Sequence, residues 1–174
     1  MKRQTLPLLL TLLATLGPPA AQAATTGTLR FAGQVNAGTC NLAAGDENRT
    51  ITLPTIKISD LDSTPYAGQL DFEISADCES DIRNVIFLFT GTADTGNGLL
   101  FSNTGTSKGT ALWLTSRSPT LTIPANGTVA QRSRTVATSG NKAVLPLAAA
   151  YHKTGEAITQ GSLASAVTVS ITYN

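Results

Sequence analysis

The stretch TTGTLRFAGQV, residues 25–35, decides how the rest of the chain is read. Leu29, Phe31 and Val35 alternate with Arg30, Ala32 and Gln34, and Gly33 takes the apolar phase. A period of two puts alternate side chains on opposite faces of an extended strand, so one face is greasy and the other wet. A strand of this kind at the start of an exported domain must join a sheet, its own or another molecule's.

Upstream, Lys2 and Arg3 give a basic start, Leu6 to Leu16 an apolar core, and Ala21-Gln22-Ala23 a small-residue cleavage pattern. Residues 1–23 therefore read as a secretory signal, too short to span a membrane. No second hydrophobic stretch follows, so no direct membrane insertion is expected. Cleavage after Ala23 leaves 151 of the 174 residues, enough for one domain. Losing Lys2 and Arg3 from the 12 basic residues leaves 10 against 11 acidic ones. A charge so close to neutral argues against a nucleic-acid or anionic-membrane surface. The two cysteines, Cys40 and Cys78, both lie in the exported part. An even pair in an oxidising compartment reads as one disulfide rather than two buried thiols.

Strand signals recur downstream. Thr50 to Ile58 reads as a strand interrupted by Pro54, which confines it to an edge or a bulge. Ser59 to Gly68 reads as a polar loop. In the run from Leu70 to Cys78, Leu70, Phe72, Ile74 and Ala76 alternate with Asp71, Glu73, Ser75 and Asp77. Val85 to Phe89 is a continuous apolar run, read as a strand covered on one or both faces. Residues 91–98, GTADTGNG, read as a loop. Thr110 to Thr115 and Thr120 to Ile123 read as short strands around a turn at Ser118-Pro119. Pro124 to Gly127 makes another turn, and Gln131 to Lys142 reads as polar and mobile. Val144 to Tyr151 is apolar again. Val167, Val169, Ile171 and Tyr173 then alternate against Thr168, Ser170 and Thr172. Helical periodicity never exceeds two turns beyond the signal. The expected class is an all-β sandwich.

Catalytic chemistry finds little support. His152 is the only histidine, at the end of an apolar strand and without a G-x-S-x-G elbow. Two acidic clusters, Asp60 with Asp62, and Asp77 with Glu79 and Asp81, lack the graded spacing of a calcium loop and read as solvated turn residues. GTADTGNG lacks the Gly-Lys-Ser/Thr of a phosphate loop. Asn48-Arg49-Thr50 and Asn126-Gly127-Thr128 match the glycosylation triplet, which matters only in a host that modifies it. No catalytic residue, metal or cofactor is assigned.

In order along the chain, several motifs resemble the fimbrial (pilin) subunits of bacterial chaperone–usher pili, of the type 1 kind. FAGQV, residues 31–35, resembles the N-terminal extension of that family, with Gly33 seven residues before Cys40. LDFEISADC, residues 70–78, resembles the strand into the second cysteine. The stretch from Leu145 to Asn174 resembles the C-terminal region, marked by Tyr151, Gly161 fourteenth from the end, and penultimate Tyr173. The resemblance implies an incomplete immunoglobulin-like β-sandwich, residues 37–174, completed by a donor strand from another subunit. Residues 24–36 would be the extension that donates such a strand. Strand addition of this kind, with chaperone–pilin complementation as a known case, supplies ladder hydrogen bonds and side-chain pockets.

On that reading, Leu29, Phe31 and Val35 fill a groove and Gly33 sits where the groove is shallow. Gly161, Val167, Val169, Ile171 and Tyr173 mark the groove-edge strand, with Tyr173 contributing to chaperone contact. The partners implied are other pilin subunits, a periplasmic chaperone and an outer-membrane usher, and the destination is a fimbrium on the cell surface. The alternative is a secreted monomeric β-sandwich that binds a carbohydrate or protein.

Overall fold

The computed structural model describes residues 28–174, so the signal over residues 1–23 lies outside the described residues. The chain divides into a segment that ends at Val35 and a unit of residues 36–174. Residues 28–39 belong to no strand. Leu29, Phe31 and Val35 are 82%, 92% and 98% exposed.

The larger unit is a sandwich of two antiparallel sheets. One sheet holds β1 (Cys40–Leu42), β2 (Tyr66–Cys78), β7 (Lys142–Lys153), β4 (Thr110–Arg117) and β5 (Thr120–Thr122), in that order. The other has β3 (Asn84–Gly91) between β6 (Ser133–Ala137) and β8 (Val167–Tyr173). In β2 the buried residues are among those the alternation marks, whereas in β3 and β7 the structure itself selects the inward face. Ile74 and Ala76 of β2, Leu145, Leu147 and Ala149 of β7, and Val85, Phe87 and Phe89 of β3 form the core with Phe101, Leu114 and Ile123. The apolar run in β3 is not covered equally on both sides: Ile86 and Leu88, on the outer face, are half-buried. Gly140 and Asn141 both have positive φ, 57° and 64°, and let the chain turn tightly from β6 into β7. Only a few residue types take two such conformations in succession.

Cys40 and Cys78 stand opposite each other in the β1–β2 ladder and are joined by a disulfide with S–S 2.05 Å. Just ahead of β1, the Gly38 N–H donates to Asp81 Oδ2 at 2.8 Å. A Cβ at Gly38 would run into the Asp81 carboxylate and come within 2.8 Å of Glu79 Cβ. Such crowding costs about 1–2 kcal/mol when the neighbours are held. Gly38→Ala is therefore expected to lower the free energy of unfolding by that amount in urea titration. Gly45→Ala, with open space around the added methyl, is expected to leave stability level or raise it by up to about 1 kcal/mol.

Three stretches depart from the sequence reading. Residues 50–57 form no strand, and Ile58–Leu61 is a 3-10 turn. Proline at 54 removes a ladder donor, and the segment is held by side chains instead, with Leu53 against the core. The stretch from Ser59 to Gly68 is not wholly loop. Leu61 is buried at 1% exposure, and β2 already begins at Tyr66.

The polar stretch from Gln131 to Lys142 is likewise ordered, into the end of a one-turn helix α1 (Val129–Arg132) and β6. Arg134 is the reason a polar strand belongs there. Its guanidinium donates to Ser116 Oγ at 2.9 Å, and to the carbonyls of Thr122 at 2.8 Å, Gln131 at 3.0 Å and Ser133 at 2.6 Å. The side chain thus ties the free edge of one sheet, β6, to the free edge of the other, β5. Burial lowers the Arg134 pKa from its ordinary value, yet a guanidinium stays charged at any working pH. Among the described residues it pairs with no carboxylate, so carbonyl and hydroxyl oxygens carry the whole compensation. Arg134→Met leaves those acceptors unpaired and is expected to cost about 2 kcal/mol in urea unfolding at unchanged m-value. Arg134→Lys should recover only part, because an ammonium lacks the planar fork.

Candidate functional site

The candidate site is the outer side of β8. All seven residues of β8 pair with β3, from Val85↔Tyr173 to Gly91↔Val167. The sheet order then stops, and among the described residues no strand lies beyond β8. In an antiparallel pair, alternate residues turn their N–H and C=O groups away from the partner. β8 therefore presents a row of backbone groups with no ladder to join.

Burial shows the same incompleteness. Val85, Phe87 and Phe89 of β3 are 0–1% exposed. On the neighbouring strand, Val167, Val169 and Ile171 point at the same core but are only partly buried. Leu42 of β1 and Leu53 are also only partly buried against that core. β1 is an edge of the larger sheet and runs near β8. The sandwich thus has a side where both sheets end and apolar side chains stay half-covered. An unpaired edge of this kind is a template for another strand.

The residues anticipated for this edge divide. Val167, Val169 and Ile171 line it. Tyr173 pairs with Val85 and is 40% exposed. Gly161 is not part of it. It lies outside β8, packed against residues 106 and 107 so closely that any Cβ would collide with the Ser107 nitrogen and the Thr106 carbonyl carbon. The surrounding segment is pinned there by Thr104 N–H to Ala164 O at 2.7 Å and Ser107 N–H to Ser162 O at 3.0 Å. Asn103 completes the lock, its Oδ1 accepting the Ala164 N–H at 2.9 Å. Nothing local in the sequence signals this contact, since the partners lie more than fifty residues apart.

The other candidates have structural partners. His152 is half-buried beside Trp113, ring centroids 5.9 Å apart, and Trp113 in turn meets Tyr66 at 4.6 Å. Asp60 Oδ2 accepts the Lys57 N–H at 2.8 Å, Asp81 holds Gly38, and Asp77 pairs with Lys142 at 3.3 Å.

Comparison with known proteins places this geometry. The fimbrial protein family model matches residues 29–174. The chain is 34% identical over 89 residues to the fimbrial subunit ElfA of Escherichia coli strain K12, covering 49% of this chain and 50% of that one. The match thus spans about half the length of that curated relative. A chain from the structure of a chaperone–usher pilus superposes with TM-score 0.63 at 19% identity, covering 91% of this chain and 100% of that one. The crystal structure of the P pilus rod subunit PapA gives TM-score 0.61 at 19% identity, with 78% and 99% covered. At that identity these two share the fold. With the family model covering nearly all the described residues, the chain belongs to the fimbrial protein family.

Proposed function

We propose that the chain is a structural subunit of a bacterial surface pilus, built by strand donation and serving cell adhesion, without catalysis. The observation that carries this reading is a pair of complementary incomplete features. The extension exposes an apolar stripe of Leu29, Phe31 and Val35, and β8 leaves an unpaired edge above half-covered Val167, Val169 and Ile171. In the fibre, the extension of one subunit lies beside β8 of the next, with Leu29, Phe31 and Val35 inward and Gly33 over the shallow point. Burying three such side chains is worth roughly 1.5–3 kcal/mol each, beyond the ladder hydrogen bonds. Before assembly, a periplasmic chaperone covers the same edge, with Tyr173 in the contact, and an outer-membrane usher hosts the exchange.

Arg30 supplies a test, because it is the only basic residue between positions 24 and 48. Trypsin is expected to cut the isolated subunit after Arg30 and to leave that bond intact in assembled fibres. Equal cutting in both would contradict burial of the extension in a neighbour.

A further inference from the structure

The chain has two Asn-Gly dipeptides, Asn97-Gly98 and Asn126-Gly127, and the fold brings them together. The Asn126 N–H donates to the Gly98 carbonyl at 2.8 Å. At such a dipeptide the following backbone nitrogen can approach the asparagine carboxamide, because glycine has no Cβ in the way. The two pairs are held differently. Asn97 Oδ1 accepts the Leu99 N–H at 3.1 Å, and the Asn97 N–H donates to Asp94 Oδ1 at 3.0 Å. Asn126 is exposed, and among the described residues its carboxamide makes no hydrogen bond and the Gly127 N–H donates none. The site sits in the turn between β5 and α1, outside every ladder, just after buried Ile123 and Ala125.

We infer that Asn126-Gly127 is a self-modification site, converting to aspartyl and isoaspartyl forms ahead of Asn97-Gly98. The Gly127 nitrogen gives up its proton to solvent base and attacks Asn126 Cγ. A nitrogen–carbon bond forms, the Cγ–Nδ2 bond breaks, and the amide leaves as ammonia with a proton from water. Water then opens the five-membered imide at either carbonyl. Release of the nitrogen from Cγ gives aspartate, and release from the backbone carbonyl carbon gives isoaspartate. One water enters, one ammonia leaves, and no electrons are exchanged.

The isoaspartyl form inserts a methylene into the main chain next to Gly127. The Gly127 carbonyl accepts Arg132 Nε at 3.0 Å, and Thr128 caps α1 through the Gln131 N–H at 3.3 Å. The modification therefore loosens the helical turn that leads into β6.

The test uses the full exported chain, aged in mildly alkaline buffer, digested with trypsin and read by peptide mass and enzymatic isoaspartate methylation. The peptide of residues 118–132, between cleavages at Arg117 and Arg132, contains one asparagine, Asn126. Amide loss and methyl labelling are expected there first, faster at higher pH, and Asn126→Gln should abolish them. In the same chain denatured, Asn97 and Asn126 should label at comparable rates. Loss at Asn97 before Asn126 in the folded chain would overturn the inference. So would labelling of residues 118–132 in N126Q, or a native preference that survives denaturation unchanged.

Discussion

Subunits carrying Gly33→Leu are expected to be exported, folded and disulfide-bonded, yet unable to join a fibre. Among the described residues the substitution meets no obstacle, since none of them lies within 4 Å of a Cβ at Gly33. Leucine also suits an extended strand at least as well as glycine does. Any loss must therefore arise where the extension packs against another molecule. A branched side chain forced into a shallow, already packed position costs typically 1–3 kcal/mol or more, and each 1.4 kcal/mol is about tenfold in affinity. Repeated at every joint, that weakening ends polymerisation. Electron microscopy of fibre length, beside subunit abundance in the same cells, makes the measurement. Fibres of normal length would contradict the placement of Gly33.

The second large effect concerns the disulfide. Replacing both Cys40 and Cys78 by alanine is expected to remove about 4 kcal/mol of stability, the chain-entropy value for a closure spanning 38 residues. For a domain of this size that corresponds to a melting temperature lower by roughly 10 °C. The loss should be felt at the candidate site as well. β1 is three residues long and among the described residues pairs only with β2, and it forms the edge of the larger sheet near β8. Its remaining attachments include the Ala43 N–H to Ser75 O hydrogen bond at 2.9 Å. Thermal unfolding of the double variant, against wild type with and without reductant, checks the value. A loss below about 1 kcal/mol would mean that the ladder alone suffices to hold β1.

Elements with strict alternation were legible in the sequence. β2 and β8 show it outright, and Phe72, Ile74 and Ala76 of β2 with Val167, Val169 and Ile171 of β8 face the core, while Tyr173 stays 40% exposed. β3 could be read as a strand, but not as one with unequal faces, because Ile86 and Leu88 are as apolar as the residues they alternate with. Illegible elements depend on contacts from far along the chain. β6 has a polar sequence and is ordered because Arg134 satisfies oxygens contributed by β4 and β5. Gly161 looked like part of the C-terminal strand, whereas its lack of a side chain serves a contact with residues 106 and 107. The extension is the opposite case. Its alternation from Leu29 to Val35 is plain in the sequence, while the described chain gives those residues no ladder at all. On the proposed reading, a strand pattern without a strand is completed by a partner.

The most direct measurement is the thermal unfolding of a chain beginning at residue 37, alone and with a synthetic peptide of residues 24–36. A ligand that binds only the folded state stabilises it by about 2.7 kcal/mol at a hundred times its Kd, so the melting temperature rises with ligand concentration. The account predicts a large, concentration-dependent rise with the native peptide and none with the Gly33→Leu peptide. A melting temperature unmoved by the native peptide would mean that the β8 edge takes no donor strand, and would contradict the account.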